Sequence, residues 1–191
     1  MDECTFGINE GVARYYAPRG RGLRIDRLSS VTERGYSISG ITPQGELFFG
    51  VQEQAYTSQD VITFLEGVRV RLAPGEALHV VWDNASIHRS RRLRHYLKQC
   101  RRNHYRDPTG QSQLFAYNTP AYCPWYNPDE QVWNYVKAQA LKYRVATSRA
   151  QMRDLVYEAL AKLQRQPKRI RRFFHHPRVK LLGDPVSVAA A

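Results

Sequence analysis

The chain of 191 residues has few acidic side chains for its length, with 17 Asp and Glu against 29 Lys and Arg. The formal net charge is +12 at pH 7, and the pI is about 9.9. Such an excess of positive charge favours a polyanionic partner, because each neutralised phosphate releases a condensed counterion. Charge alone also fits a solvated basic surface, a ribosomal protein or a protein that lies on a membrane.

The sequence also lacks a long apolar run and a paired set of cysteines. No stretch approaches the roughly 20 apolar residues that span a bilayer, and the N-terminus has no charged-then-apolar leader. The three cysteines, Cys4, Cys100 and Cys123, are odd in number and have no C-x-x-C spacing, which disfavours disulfides and a zinc knuckle. We therefore expect a cytoplasmic protein with free thiols and no membrane partner.

The spacing of apolar residues predicts alternating strands and helices. A strand is predicted at 12–17, and a hairpin pairs residues 36–42 with residues 46–51. Thr57 offers a cap for a following helix. Ala77–Trp82 is a short continuous apolar run, typical of a strand that is covered on both faces. The remaining predicted elements are a helix at 86–102, a strand at 114–117, and helices at 128–143 and 148–164.

The order of these elements suggests a ribonuclease-H-like α/β architecture. We expect a mixed five-stranded sheet with helices on both faces, and a first strand that is truncated at its start. In such a sheet the first and fourth strands lie side by side, so side chains at those two positions converge. We place this domain at residues 1–165 and a basic, aromatic C-terminal tail at residues 166–191.

A candidate site begins where the run L-H-V-V-W ends in Asp83 and Asn84, with His88 five positions past the aspartate. Ligands of α/β folds gather at the carboxyl ends of strands. Asp83 or Asn84 could equally cap the next helix or turn the chain. His88 could be a ligand, a DNA contact or a helix residue, and because Mg²⁺ prefers oxygen we place it outside the metal's ligand set.

The second candidate is Glu130, in the stretch P-A-Y-C-P-W-Y-N-P-D-E-Q-V-W-N-Y-V-K. Asn127 suits a helix N-cap and Pro128 suits the first helical position, so Glu130 could simply complete a capping box. The same position also presents its carboxylate at the exposed start of a helix. Asp2 is the third candidate, although an N-terminal D-E pair is ordinarily solvated. Three acids on a basic chain indicate metal-dependent chemistry on DNA.

Together these motifs resemble the catalytic core of insertion-sequence transposases of the mariner-like DDE superfamily. In that family an aspartate opens a D-N-x-x-x-H segment and a glutamate closes N-P-x-E before a tryptophan-containing helix, which correspond to Asp83 and Glu130. The first acid of the family lies in a D-E pair like Asp2–Glu3, followed by an aromatic strand and a turn similar to residues 16–20. The resemblance covers nearly the whole chain.

The resemblance implies that Asp2, Asp83 and Glu130 are catalytic and hold two Mg²⁺ or Mn²⁺ ions, roughly 3.5–4 Å apart. Water would first cut the element end, and the freed 3′-hydroxyl would then attack target DNA without a covalent protein–DNA intermediate. Basic and polar side chains would bind phosphates and fix the register of the DNA. The candidates for this role are Asn84, His88, Arg89, Arg91, Arg92 and Lys137.

The family normally carries an N-terminal helix-turn-helix region, and nothing in this sequence corresponds to it. Beside transposon-end and target DNA, we expect a second copy of the chain in a homodimer. The missing region leaves three explanations open: a second reading frame that works with a separately encoded helix-turn-helix polypeptide, a decayed remnant, or a misassigned start. Two other functions stay open. The chain could be a catalytically dead remnant that only binds DNA, or a ribonuclease-H-like nuclease.

Overall fold

The computed structural model describes residues 1–7, 34–73, 76–103, 113–121, 123–141, 146, 148–176 and 179. The strand predicted at 12–17 and the turn at 16–20 lie outside these ranges. No helix among the described residues is both long and apolar enough to cross a membrane.

The first sheet contains three antiparallel strands in the order β1-β2-β3: β1 (Asp2–Gly7), β2 (Arg34–Ile41) and β3 (Leu47–Gln52). The predicted hairpin is confirmed as β2 and β3. Its turn requires Gly45, which has φ +96°, and a Cβ there would lie 2.5 Å from the Pro167 carbonyl oxygen. Both the left-handed backbone and this close approach exclude a larger side chain.

The second sheet pairs β4 (Ala77–Trp82) in parallel with β5 (Gln113–Asn118). The predicted bounds of β4 are confirmed, and those of β5 are confirmed to within one residue at each end. The mixed α/β architecture is confirmed, but the single five-stranded sheet is not, because the five strands of the described residues form two separate sheets. β1 begins at Asp2. The residue before it, Met1, contacts β4, because its amino group donates to the Val81 carbonyl over 2.9 Å.

Within the described ranges, five α-helices lie between and after the strands: α1 (Ser58–Arg69), between β3 and β4; α2 (Arg91–Asn103), between β4 and β5; and, after β5, α3 (Glu130–Tyr135), α4 (Arg149–Gln164) and α5 (Pro167–Phe174). α3 continues into a π-helical turn, Val136–Ala140, and a short 3₁₀ turn, Pro124–Tyr126, precedes it. The predicted cap of α1 is confirmed, since Thr57 and Asp60 form a complete capping box.

Two predicted helix starts are wrong. α2 was expected from residue 86, but residues 85–90 form successive turns, and Ser90 caps the helix by accepting a bond from the Leu93 amide. α3 was expected from residue 128, but it begins at Glu130, because the Asn127 side chain accepts from the Asp129 amide and holds a turn there.

Helices cover both faces of the β1–β2–β3 sheet, and each face has its own apolar core. One core joins Phe6 and Leu47 to α3, α4 and α5, and includes the fully buried Ile170. The other joins Ile38 to α1, α2, β4 and β5, around Leu65 and Trp82. The β1–β2–β3 sheet therefore lies between the two cores. The boundary that we drew at residue 165 falls between α4 and α5, and α5 contributes to the first core.

Candidate active site

One cavity of about 480 Å³ brings together all three predicted acids. Asp2 is the first residue of β1, Asp83 directly follows β4, and Glu130 is the first residue of α3. These positions are far apart in the chain, so only the packing of the two sheets against α3 makes them neighbours. The other residues that line the cavity are Asn84, Ala85, Arg89, Thr119, Pro120, Ala121, Cys123 and Asn127.

Asp2 is the most deeply buried acid of the cavity, with 8% of its surface exposed. The Trp133 indole N–H donates to its Oδ2 over 3.0 Å, and the Glu3 amide donates to its Oδ1 over 2.9 Å. Burial, followed by the charges of Asp129 and Glu130, raises the pKa of Asp2 to about 8. The Asp2 carboxyl is therefore held at a fixed position where negative charge is already in excess.

Asp83 directly follows β4, and its side chain is about half exposed. Its Oδ1 accepts from the Ala85 amide over 2.9 Å, which is the chain-turning bond that the sequence also allowed. The same oxygen lies 3.0 Å from His88 Nδ1. The bond within the turn thus orients the Asp83 carboxylate through Oδ1. The other oxygen, Oδ2, takes part in neither of these two contacts.

His88 is buried beneath the cavity, and its imidazole stacks on the Trp82 ring with 4.6 Å between ring centroids. Its Nδ1 contacts Asp83, and its Nε2 lies 3.0 Å from Glu3 Oε1. Burial disfavours the charged imidazolium, but the bond and charge of Glu3, with a smaller contribution from Asp83, outweigh it and raise the pKa of His88. The imidazole therefore links the strand that carries Asp2 to the strand that carries Asp83.

Glu130 is partly buried at the N-terminus of α3. Burial raises the pKa of its carboxyl, the Lys137 ammonium acts in the opposite direction, and the charges of Asp129 and Asp83 raise it further. The bond from the Asp129 amide to Asn127 Oδ1 holds the turn before the helix; the N-cap residue is Asp129, which makes no side-chain capping bond, so the capping box expected of Asn127 and Glu130 is not formed. Glu130 thus lies within electrostatic reach of Asp83, which is what a shared site requires.

Two acids at the site were missed in the sequence. Glu3 contacts His88, and Asp129 is fully buried, where its Oδ1 accepts from the Ser39 hydroxyl over 2.6 Å. Asp129 Oδ2 lies 3.1 Å from the Met1 amino group, in an ion pair without hydrogen-bond geometry. In the sequence Glu3 directly follows Asp2, and Asp129 directly precedes Glu130, so each is the neighbouring acid in a D-E pair. This adjacency was the signal that could have identified them.

The six predicted phosphate contacts occupy different environments. Asn84 and Arg89 line the acidic cavity, and Arg89 also lines a neighbouring cavity of about 550 Å³ together with Arg94. Asn84 donates to the Thr119 carbonyl over 2.7 Å, so its amide is engaged in joining the loops after β4 and β5. Arg91 and Arg92 are exposed on the first turn of α2, outside both cavity linings.

Lys137 and His88 complete the set. The Lys137 ammonium lies 5.7 Å from the centre of the Phe6 ring and acts on Glu130 electrostatically. His88 differs from the others because its side chain is 0% exposed and bonded to two acids. His88 is therefore placed to orient the Asp83 carboxylate.

Metal binding can be tested against the donors that are present. Among the described residues, no group of three or more His, Cys, Asp and Glu side chains is arranged as a ready metal site. The donor chemistry nevertheless fits a hard divalent cation, since Asp2, Asp83 and Glu130 offer carboxylate oxygens. Burial is the main cause of the raised pKa values of Asp2 and Glu130, with neighbouring carboxylates adding to it, and a bound cation would favour the ionised forms of both.

Acids that converge from two sheets and a helix, beside arginines on a basic chain, are typical of enzymes that act on nucleic-acid phosphates. A family model described as DDE superfamily endonuclease matches residues 1–153. The chain belongs to this family. No curated protein matches it at a significant level.

The fold is similar to solved structures of the Mos1 mariner transposase. A paired-end complex with the left transposon end superposes with a TM-score of 0.56 at 13% identity, over 95% of this chain and 55% of that one. A paired-end complex with Mn gives a TM-score of 0.53 at 14% identity, over 89% of this chain and 53% of that one. This chain thus spans about half the length of the matched chains.

Proposed function

We propose that this protein is the catalytic domain of an insertion-sequence DNA transposase, which cuts element ends and joins them to target DNA with the help of divalent metal ions. The observation that carries the proposal is the convergence of Asp2, Asp83 and Glu130 on one cavity from three separate elements. The family match supports an endonuclease, and the fold similarity to Mos1 transposase complexes supports transposition.

Asp2, Asp83 and Glu130 would hold two Mg²⁺ or Mn²⁺ ions, which neutralise charge and polarise the attacking and leaving oxygens of a phosphodiester. The protein contributes the fixed positions of these carboxylates. The Trp133 indole and the Glu3 amide hold the Asp2 carboxyl, and the Ala85 amide holds that of Asp83. Preformed orientation lowers the cost of assembling the site when DNA arrives.

His88 and Glu3 act as positioning residues in this proposal. The imidazole contacts Asp83 on one side and Glu3 on the other, and its stacking on Trp82 restricts its rotation. Groups that orient a metal-binding carboxylate typically change metal affinity or activity when they are replaced. His88 thus keeps the Asp83 carboxylate aimed at the cavity.

The basic residues would position DNA on either side of the acids. Arg89 lines both the acidic cavity and its neighbour, so its guanidinium can bind a phosphate close to the reacting one. Lys137 is close enough to Glu130 to affect its pKa, and Arg91 and Arg92 extend the positive surface along α2. Asn84 would stabilise the loops that carry these groups through its bond to Thr119.

The proposed partners are transposon-end and target DNA. A homodimer would bring two element ends together, and a separately encoded helix-turn-helix polypeptide would supply recognition of the ends. Mos1 structures with paired ends support the pairing of two active sites on DNA.

The decisive experiment supplies the chain with a pre-cut element end, a labelled target duplex and Mg²⁺ or Mn²⁺. We expect joined product that depends on the metal, and none from Asp83→Asn. The matched control is Asp154→Asn, because Asp154 is an exposed acid on α4, outside the acidic cavity.

Two results would separate the other functions from transposition. Metal-dependent nicking without joining would indicate a nuclease. DNA binding without nicking or joining, unchanged in Asp83→Asn, would indicate a protein that only binds DNA and would overturn the enzymatic proposal.

A further inference from the structure

The cavity of about 550 Å³ next to the acidic site is bounded by the turns after β4, the first half of α2 and the end of β5. Its lining contains two arginines and no aspartate or glutamate. A concave surface with two cations and no acid attracts an anion. We call it the arginine pocket, and its lining residues are Trp82, Ser86, His88, Arg89, Arg94, Leu97, Ala116 and Asn118.

The two arginines reach the pocket from different elements. Arg89 belongs to the turns at residues 85–90, and Arg94 lies near the start of α2. Within the described part of the chain, neither guanidinium forms an ion pair with an acid. Arg94 Nε donates to the Ser90 carbonyl over 3.5 Å, which leaves its charge unneutralised. Two such guanidinium groups suit a phosphate, because its oxygens accept several N–H bonds at once.

The rest of the lining is largely apolar. Leu97 and Ala116 are partly buried, and Trp82 is 1% exposed. The Trp82 indole N–H donates to Asn118 Oδ1 over 2.9 Å, and the Asn118 amide donates to Asn84 Oδ1 over 2.8 Å. These bonds engage the polar groups of the lining with one another, so the surface beside the arginines favours an uncharged, flat partner.

A phosphate-binding part and an apolar part together suit a nucleotide. The volume of about 550 Å³ lies within the ~300–1,000 Å³ that is typical of pockets for small organic ligands. A base within a duplex is stacked on both faces and paired along its edge, so it does not enter a concave pocket. An unpaired base is free to leave the stack and contact protein side chains.

The basic surface continues from the pocket along α2. Arg94, Leu97 and Arg101 are spaced i, i+3 and i+7, so they lie on one face of the helix. This face borders β5, because the Arg101 guanidinium lies 5.9 Å from the centre of the Phe115 ring. A strand with one nucleotide in the pocket would therefore meet a further cation along the same edge.

We propose that the arginine pocket binds one unpaired nucleotide of single-stranded DNA, with its phosphate on Arg89 and Arg94 and its base against Leu97 and Ala116. Arg89 lines this pocket and the acidic cavity alike, so the nucleotide would lie close to the reacting phosphodiester. The phosphate is either an internal phosphodiester or a terminal 5′-phosphate, which present similar oxygens. This inference rests on the proposed function for its DNA substrate, but binding requires neither metal nor catalysis.

The test measures fluorescence anisotropy of labelled DNA with the full chain in EDTA, so that no cleavage occurs. One probe is a duplex with a short single-stranded 5′ extension that ends in a phosphate, and a second ends in a hydroxyl. The reference is a blunt duplex with the same total number of phosphates. Arg94→Ala is the main variant, because Arg94 lines the arginine pocket and not the acidic cavity. Lys162→Ala, near the end of α4, is the matched control for charge.

We expect Arg94→Ala to weaken binding of the extended probes by about tenfold, since a hydrogen bond to a charged group is lost. Binding of the blunt duplex should weaken no more than it does in Lys162→Ala. Ala116→Leu fills the apolar part of the pocket while both arginines remain, so it should also reduce the preference for the extended probes. If it lowers the unfolding midpoint, Ser86→Leu at an exposed position of the same lining takes its place.

The two extended probes separate the sources of the phosphate. A larger effect of Arg94→Ala on the phosphate-ended probe would support a terminal 5′-phosphate, and equal effects on both would support an internal phosphodiester.

Equal weakening of extended and blunt probes by Arg94→Ala, or a preference for extended DNA that survives both pocket variants, would overturn the nucleotide pocket. Failure of the proposed function has a different signature. Arg94-dependent binding without any strand joining would refute the transposase proposal alone. Strand joining by a chain that shows no preference for extended DNA would refute the pocket alone.

Discussion

The acidic cavity and an apolar groove meet at the first two residues of the chain, and they have opposite requirements. Met1 lines the groove, and Asp2 lines the cavity, as expected from the alternation of side chains along a strand. Burial disfavours the ionisation of two carboxyl groups in the cavity, those of Asp2 and Glu130, so their ionised forms lower the stability of the fold. The groove, about 320 Å³ between β2 and β4, is lined mainly by apolar side chains, with Thr42, His79 and Asn127 as polar exceptions, and filling it should raise stability without altering the chemistry.

The largest expected effect is the loss of activity in Asp83→Asn. The change removes a carboxylate oxygen from the cavity while keeping the side-chain shape, so joined product should fall by about 100-fold or more. The free energy of unfolding should change by less than about 1 kcal/mol, because Asp83 is half exposed. Strand-transfer assays and thermal denaturation check the two parts, and a large loss of stability would contradict this division.

Leu65→Ala should have the opposite profile. Leu65 is 1% exposed and forms part of the groove wall, so truncation should reduce the free energy of unfolding by about 2–5 kcal/mol. At a temperature where the variant is folded, its specific activity should stay close to that of the unmodified chain. Denaturant titration and activity measurements on the same preparation test this, and a selective loss of activity would show that the two regions are coupled.

His88→Ala should reduce activity by about 10- to 100-fold, because Asp83 loses the group that orients it. His88→Gln keeps a polar atom near Asp83 and should recover part of the loss. The Mn²⁺ concentration for half-maximal activity should rise in the alanine variant. In the glutamine variant it should return toward the value of the unmodified chain. An unchanged metal dependence in both variants would indicate that His88 only supports packing against Trp82.

The pH dependence of stability should depend on Asp2. Burial raises the pKa of Asp2 to about 8 in the folded chain, against 3.8 for an unperturbed aspartate, so the folded state keeps a proton that the unfolded state releases. Without divalent metal, stability should therefore fall as pH rises from about 4 to about 8. Asp2→Asn should remove this slope and raise the unfolding midpoint at pH 8 by at least about 3 °C. A midpoint gain that is equal at pH 4 and pH 8 would contradict the assignment.

The smallest effect concerns the exposed start of α2, outside both regions. Arg91→Glu with Arg92→Glu should weaken DNA binding uniformly across sequences and reduce the salt slope by about 2, one for each lost phosphate contact. Lys162→Glu with Arg165→Glu, near the end of α4, is the matched control for net charge. Equal effects of the two pairs would show that only the overall charge matters.

Local signals predicted much of the fold. The apolar run Ala77–Trp82 matched β4 in its bounds, but the expected cover on both faces is wrong, because the side chains of His79 and Val81 are exposed. The cap at Thr57 was predictable because its partner Asp60 is three residues away. The start of α2 was not, since Ser86 and Ser90 are both suitable caps and only the fold selects Ser90.

Contacts between residues far apart in the sequence could not be predicted in this way. Motifs and the family resemblance indicated Asp83 and Glu130, but no sequence spacing shows that Glu3 contacts His88, 85 residues away. The division into two sheets was equally hidden, because it depends on which strand edges meet. The burial of Asp129 depends on Ser39 and Met1, which come from β2 and the chain start.

The bond from the Trp133 indole to Asp2 also has an optical consequence. The ring is 4% exposed and its N–H lies 3.0 Å from the carboxyl, so a change in the charge of that carboxyl alters the field across a fluorophore. Trp82 stacks on His88, and Trp125 is 42% exposed at the surface. Two of the three indoles thus lie at the acidic site, and a solvent quencher reaches the third first. Intrinsic emission can therefore follow events at Asp2 without any added label.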